Sequence, residues 1–134
     1  MKIVSLLENK DIEKRVAITP ETAKKFISNG FEISLPSNYG SHLGFSNESY
    51  KSQGVKILEN EKDVINNSDI IVQLGLPNDD KLTLFKENQT LIGVLNPFSN
   101  KEKLENLSKR KINNFSLELL PRITRAQSMD ILSS

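Results

Sequence analysis

Apolar residues in this chain fall in short clusters separated by polar stretches, and the clusters take two forms. One form is a short segment of four to six residues, apolar throughout or with polar residues interspersed, that reads as a strand. Residues 3–7 begin with the β-branched pair Ile3-Val4 and read as a buried strand. Residues 31–35, ended by Pro36, 55–58, 90–95 and 112–117 read the same way. Residues 69–74, with Ile70, Ile71 and Val72 consecutive, have the pattern of a strand buried on both faces. The other form is helical. Thr19-Pro20-Glu21 supplies an N-cap, a proline at the first helical position and an acid. Ala23, Phe26 and Ile27 then make one apolar face, and Gly30 is placed to end the helix. Short helices are predicted over 48–53, closed by Gly54, around 63–67 and over 79–85. Ser99 with Glu102 predicts a capping box for a helix reaching about Lys109.

Strands alternating with short helices predict a mainly parallel sheet with helices on both faces, a three-layer α/β sandwich. At 134 residues the chain has the length of one domain. Its hydrophobic share, 37%, is modest, but the clustering makes a core feasible. A net charge of +1 gives no field to steer nucleic acid. The absence of cysteine excludes disulfides and thiolate chemistry, and a single histidine argues against a histidine-based metal site. The apolar stretch at the start is too short for a secretory signal, and no run approaches a membrane span.

In a parallel α/β sheet, ligands collect at the carboxyl ends of the strands. Arg15 lies in the loop after the first strand and could clamp a carboxylate or phosphate, or simply pair with Glu13 or Glu8. Gly75-Leu76-Pro77 and Asn96-Pro97 follow the two strongest strands and fall at the same edge. Gly40-Ser41-His42-Leu43-Gly44 is not a dinucleotide fingerprint and reads as a turn, with His42 a surface residue. The final residues, 121–134, hold two of the four arginines, Arg122 and Arg125. There Thr124 with Gln127 predicts another capping box. A polar loop feeding a helix N-terminus suits an anion, although Met129 and Leu132 could merely pack and Asp130 merely favour the dipole. The chain stops inside this predicted helix, as if cut from something longer.

Two segments carry a resemblance. Glu13-Lys14-Arg15-Val16-Ala17-Ile18-Thr19-Pro20 resembles the N-terminal signature shared by alanine dehydrogenases and the alpha subunit of proton-translocating NAD(P) transhydrogenase. Residues 121–134 resemble the loop specific to the transhydrogenase branch, which contributes Arg, Gln and Asp to the nicotinamide end of NAD(H). The resemblance implies a Rossmann-like N-terminal lobe over residues 1–134, with the fingerprint-bearing lobe outside this chain. It implies that Arg122, Gln127, Asp130 and Ser133 contact NAD(H), with Arg125 a weaker match. It also implies NADP(H) held by a partner component, an NADP-binding and a membrane partner, a homodimer, and a cytoplasmic place peripheral to the inner membrane.

Two departures discriminate within that superfamily. Alanine dehydrogenases place a lysine for the substrate carboxylate in the segment here reading Gln73-Leu74-Gly75-Leu76-Pro77, and an acid–base histidine where this chain has Asn96. Glycine offers no cation and asparagine cannot shuttle a proton. The resemblance therefore implies hydride transfer from NADH to NADP+ rather than amino-acid oxidation. An alanine-dehydrogenase-like oxidoreductase and a non-catalytic binding domain are the alternatives.

Overall fold

The computed structural model describes residues 1–9, 11 and 13–119 of the protein. Six strands make one sheet: β1 (Lys2–Val4), β2 (Glu32–Pro36), β3 (Lys56–Leu58), β4 (Ile70–Gln73), β5 (Thr90–Gly93) and β6 (Asn113–Ser116). Their order across the sheet is β3-β2-β1-β4-β5-β6, and every neighbouring pair is parallel. Among the described residues five α-helices connect them: α1 (Pro20–Ser28), α2 (Asn47–Lys51), α3 (Glu61–Asn66), α4 (Asp79–Leu82) and α5 (Lys101–Lys109).

Alternating strand residues build two cores. Ile3, Ile33, Leu35 and Val72 join Ala23 of α1 and Tyr50 of α2 in one apolar cluster. Val4, Ile71 and Leu91 join Val64 of α3, Leu82 of α4 and Leu107 of α5 in the other. The period-2 geometry of a strand sends consecutive apolar residues to opposite faces, so the unbroken runs in the sequence become two buried surfaces. The result is the expected three-layer sandwich, with a sheet that is parallel throughout.

Local chemistry sets the helix ends. The Thr19 hydroxyl accepts from the Thr22 N–H at 3.1 Å and opens α1. Past its end, Gly30 has φ of +91°, which a side chain would strain. Asn60 and Asn78 cap α3 and α4 in the same way as Thr19. The predicted capping box of Ser99 and Glu102 is replaced: Asn100 is the N-cap of α5, and its side-chain amide donates backward to the Leu95 carbonyl at 2.9 Å. Pro36 belongs to β2 instead of ending it; as the last strand residue it lacks an N–H without breaking the ladder.

The strand order creates the site. The chain runs outward from β1 through β2 to β3, then returns to place β4 on the other side of β1. The helices after β1 and β4 lie on opposite faces, so the loops leaving these adjacent strands part and leave a crevice at their carboxyl ends.

Candidate functional site

A cleft of about 690 Å³ occupies that crevice. Three loops wall it: the one after β1 with Glu8, the one after β4 with Gly75 and Pro77, and the one after β5 with Asn96. Lys81 of α4 and Lys103 of α5 complete its sides.

The floor is a fixed hydrogen-bond network. The Gln73 side chain, buried at the end of β4, accepts from the Leu6 N–H and donates to Glu8 Oε2 at 3.0 Å. Ser5 Oγ donates to the Val72 carbonyl at 2.6 Å and accepts from the Tyr39 hydroxyl at 2.7 Å. Tyr39 Oη in turn accepts from the N–H groups of Ala17 and Ile18 at 3.1 and 3.3 Å. Burial pushes the Tyr39 phenol far up, so it stays neutral and serves structure. These contacts tie the ends of β1 and β4 to the segment that enters α1.

Glu8 stands on this floor and reaches the cleft. Its Oε2 accepts from the Leu74 N–H at 2.7 Å, and its Oε1 from the Gly75 N–H at 3.3 Å. Burial raises its carboxyl to about 7; the two backbone donors and Lys81 oppose that rise, and the Glu13 charge adds to it. A carboxyl near neutrality in a cleft is a group able to hold or release a proton at working pH. Lys81 Nζ donates to the Leu7 carbonyl at 2.6 Å and pairs with Glu61 Oε2 at 3.1 Å. Glu61 also accepts from the Leu7 N–H at 2.9 Å, so α3 and α4 both hold the β1 loop.

Of the residues singled out from sequence, Gly75 and Asn96 meet in this cleft, each after its own strand. A Cβ on Gly75 would lie 3.7 Å from Glu8 Oε1, an ordinary contact, so the position has room for a side chain and carries none. Asn96 takes a φ of +51°, a conformation asparagine tolerates, and its N–H donates to Glu118 Oε2 at 2.8 Å. Arg15 adopts the simpler of its two readings. It pairs with Glu13 through two 2.9 Å contacts, and its side chain is 73% exposed. That pair lowers the Glu13 carboxyl and raises the guanidinium. His42 sits in a single-turn 3-10 helix (Ser41–Leu43), exposed, with Nε2 at 2.7 Å from the Lys14 carbonyl, to which its ring N–H donates. Arg122, Gln127, Asp130 and Ser133, with the Thr124–Gln127 capping box, lie outside the described residues. Among the described residues no group of three or more His, Asp and Glu side chains is placed to hold a metal ion, and no helix is long and apolar enough to cross a membrane.

Sequence reasoning missed Glu8, Gln73, Lys81 and Glu61 as site residues. A signal existed for two of them. Glu8 is the first charged residue after the β1 run, and Gln73 is an uncharged polar residue inside the most apolar strand. Lys81 and Glu61 carry no local mark, because their roles depend on where α3 and α4 pack.

Residues 6–134 match the family model described as alanine dehydrogenase/PNT, N-terminal domain. Two relatives are alpha subunits of NAD(P) transhydrogenase in organisms where that subunit is divided, and in each the match is to the first piece. The chain is 38% identical, along its whole length, to that piece from Rickettsia prowazekii, and 35% identical to its counterpart from Rhodospirillum rubrum. It covers 36% of each, so it spans little more than a third of the relatives it matches. Alanine dehydrogenase 1 of Staphylococcus aureus is 29% identical over the whole chain, again at 36% of its own length. Among solved structures, transhydrogenase from Sinorhizobium meliloti superposes with a TM-score of 0.84 at 29% identity, over 98% of this chain and 39% of that one. An L-alanine dehydrogenase superposes at 0.81 with 22% identity, over 88% of this chain and 32% of that one, a likeness of fold.

Proposed function

This chain belongs to the alanine dehydrogenase/PNT N-terminal domain family, and from that membership we propose that it is the first lobe of the NAD(H)-binding component of an NAD(P) transhydrogenase. In this reading it helps position nicotinamide for hydride transfer from NADH to NADP+, coupled to proton translocation. Its partners are a second lobe carrying the dinucleotide fingerprint, an NADP-binding component and a membrane component, assembled on a homodimer.

The observation that carries the reading is the pairing of Gly75 and Asn96 in one cleft. These are the positions where the alanine-dehydrogenase pattern calls for a carboxylate-binding lysine and an acid–base histidine. Oxidising an amino acid requires proton transfer at substrate nitrogen; moving a hydride between two nucleotides does not. The higher identities to transhydrogenase alpha subunits point the same way.

The residues present suit the nicotinamide end of the cofactor and not its pyrophosphate. Glu8 and Asn96 offer hydrogen-bonding groups, and the bare Gly75 leaves space beside them. No glycine-rich strand-to-helix turn is present to approach phosphates, so that task falls to the second lobe. When bound, the cofactor supplies the hydride. The chain's work is to orient a ring and to keep water away from it, since transfer depends on close alignment.

Arg122, Gln127, Asp130 and Ser133 are the residues we assign to nucleotide contact in the assembled component. Arg122→Ala and Gln127→Ala in the completed alpha subunit should each lower hydride transfer by about 100-fold, with the thermal midpoint nearly unchanged. Loss of stability with the rate retained would make that segment structural. Appreciable oxidation of L-alanine by the completed enzyme would move the assignment to the dehydrogenase branch.

A further inference from the structure

We propose that Glu8 makes the cleft selective for uncharged amide ligands over carboxylates, so that a primary carboxamide is taken where the same ring bearing a carboxylate is refused. The inference rests on the transhydrogenase reading for its ring and on the cleft's geometry for its selectivity.

The charges around the cleft decide the matter. Lys81 is committed to Glu61 at 3.1 Å and to the Leu7 carbonyl. Arg15, beside the lining residue Glu13, is held by that acid. Lys103 stands at the rim 3.6 Å from Asp79; its side chain is half-exposed and that of Asp79 mostly so, where attraction is screened. Among the described residues no side-chain cation pairs directly with Glu8, although the Lys81 charge acts on it; its donors are two backbone N–H groups and the Gln73 amide. At Glu8 an arriving carboxylate therefore meets an acid with no cation bonded to it; among the described residues lining the cleft the cations are Lys81, held by Glu61, and Lys103 at the solvated rim.

A carboxamide meets complementary groups instead. Glu8 Oε2 already accepts two hydrogen bonds, whereas Oε1 accepts only the long one from Gly75. A carboxylate oxygen has two lone-pair positions, so Oε1 has one left for a ligand N–H. Gly75 places no side chain beside it; a Cβ there would lie 3.7 Å away. When Glu8 is protonated, the same oxygen can donate to the ligand carbonyl. An amide, being donor and acceptor together, fits both states. A carboxylate can accept from the protonated form alone, and ionised Glu8 repels it. Selectivity must therefore sharpen as pH rises through about 7, the value to which burial raises this carboxyl. Tyr39, beneath Glu8, stays neutral across that range.

Nicotinamide and nicotinate differ in this one group and serve as probes. Each is titrated into the isotope-labelled 134-residue chain at about pH 5.5 and about pH 8.5, following backbone amides of residues 8 and 73–75 by NMR. Nicotinamide should bind roughly tenfold more tightly than nicotinate at the higher pH, with the gap narrowing to about threefold at the lower, a like-charge penalty of ordinary size. Gly75→Lys, which the free space admits, should abolish the preference or reverse it by placing an ammonium beside Glu8. Equal binding of both probes at high pH would overturn the proposal. So would a preference unchanged by pH or by Gly75→Lys, or shifts in neither titration. Any of these results alongside intact hydride transfer in the completed enzyme would leave the transhydrogenase reading standing.

Discussion

The floor and the rim of the cleft are a few ångströms apart and obey different rules. On the floor, Ser5, Tyr39 and Gln73 are buried and each polar group is satisfied by another part of the fold. On the rim, Glu8 is only partly buried, Gly75 has no side chain, Asn96 is exposed, and Arg15 points to solvent. Burial makes an interaction expensive to lose, since an orphaned group cannot turn to water. Exposure makes it cheap to lose and leaves the group available to a ligand. The floor therefore fixes where the strand ends stand, and the rim determines what they meet.

The sharpest way to break the floor is at Gly93. A Cβ there would lie 2.2 Å from the Gln73 carbonyl oxygen, a backbone atom that cannot step aside. Gly93→Ala should force β4 and β5 apart and cost about 3 kcal/mol or more, read from urea unfolding. A loss below about 1 kcal/mol would mean that the β4–β5 seam is more compliant than its geometry indicates.

Tyr39→Phe tests the hydrogen bonds of the floor while preserving its packing. The ring keeps its edge-on contact with Tyr50, at 5.9 Å between centroids. The N–H groups of Ala17 and Ile18 lose their acceptor and Ser5 loses its donor. A destabilisation of about 1–3 kcal/mol is expected, the usual cost of orphaning buried donors. A variant as stable as wild type would show that these groups find other partners.

Glu8→Gln probes the boundary between the two regions. The folded chain holds the Glu8 proton up to about 7, whereas the unfolded chain releases it near 4.5. Between those values the folded state binds more protons, so stability falls as pH rises. The contribution from Glu8 is fully present below about 4.5 and lost as pH passes through about 7. Glutamine does not titrate. Its unfolding free energy, relative to wild type, should therefore improve steadily across this window. Parallel pH profiles would show that Glu8 titrates alike in the folded and unfolded chains.

Arg15→Ala should produce the smallest change. Its side chain lies largely in water, although Glu13 is partly covered, and the expected loss is within about 0.5 kcal/mol by thermal unfolding. A larger loss would place Arg15 with the floor.

The strands and helices were legible in the sequence because they rest on local rules. Ile70-Ile71-Val72 needs two apolar surroundings wherever it goes, and the structure supplies both. Thr19 and Pro20 open a helix by local geometry alone. Ser99 misled for a related reason: Asn100, its neighbour, can also cap, and the choice fell to Asn100, whose amide finds the Leu95 carbonyl across the turn. Gly75 and Asn96 could be marked from sequence as strand-end residues. That they share one cleft with Glu8 follows from β4 lying between β1 and β5, a fact of sheet order. Lys81 and Glu61 were invisible for the same reason, since they hold the β1 loop from 74 and 54 residues away. The raised carboxyl of Glu8 is likewise a product of assembly, because a glutamate in an isolated peptide is solvated and ordinary. Sequence by itself determined which segments bury and where helices begin, since backbone and side-chain preferences act within a few residues. Tertiary structure decided which strand ends meet, which cations are already paired and which acid holds a proton, because burial and charge pairing act through space.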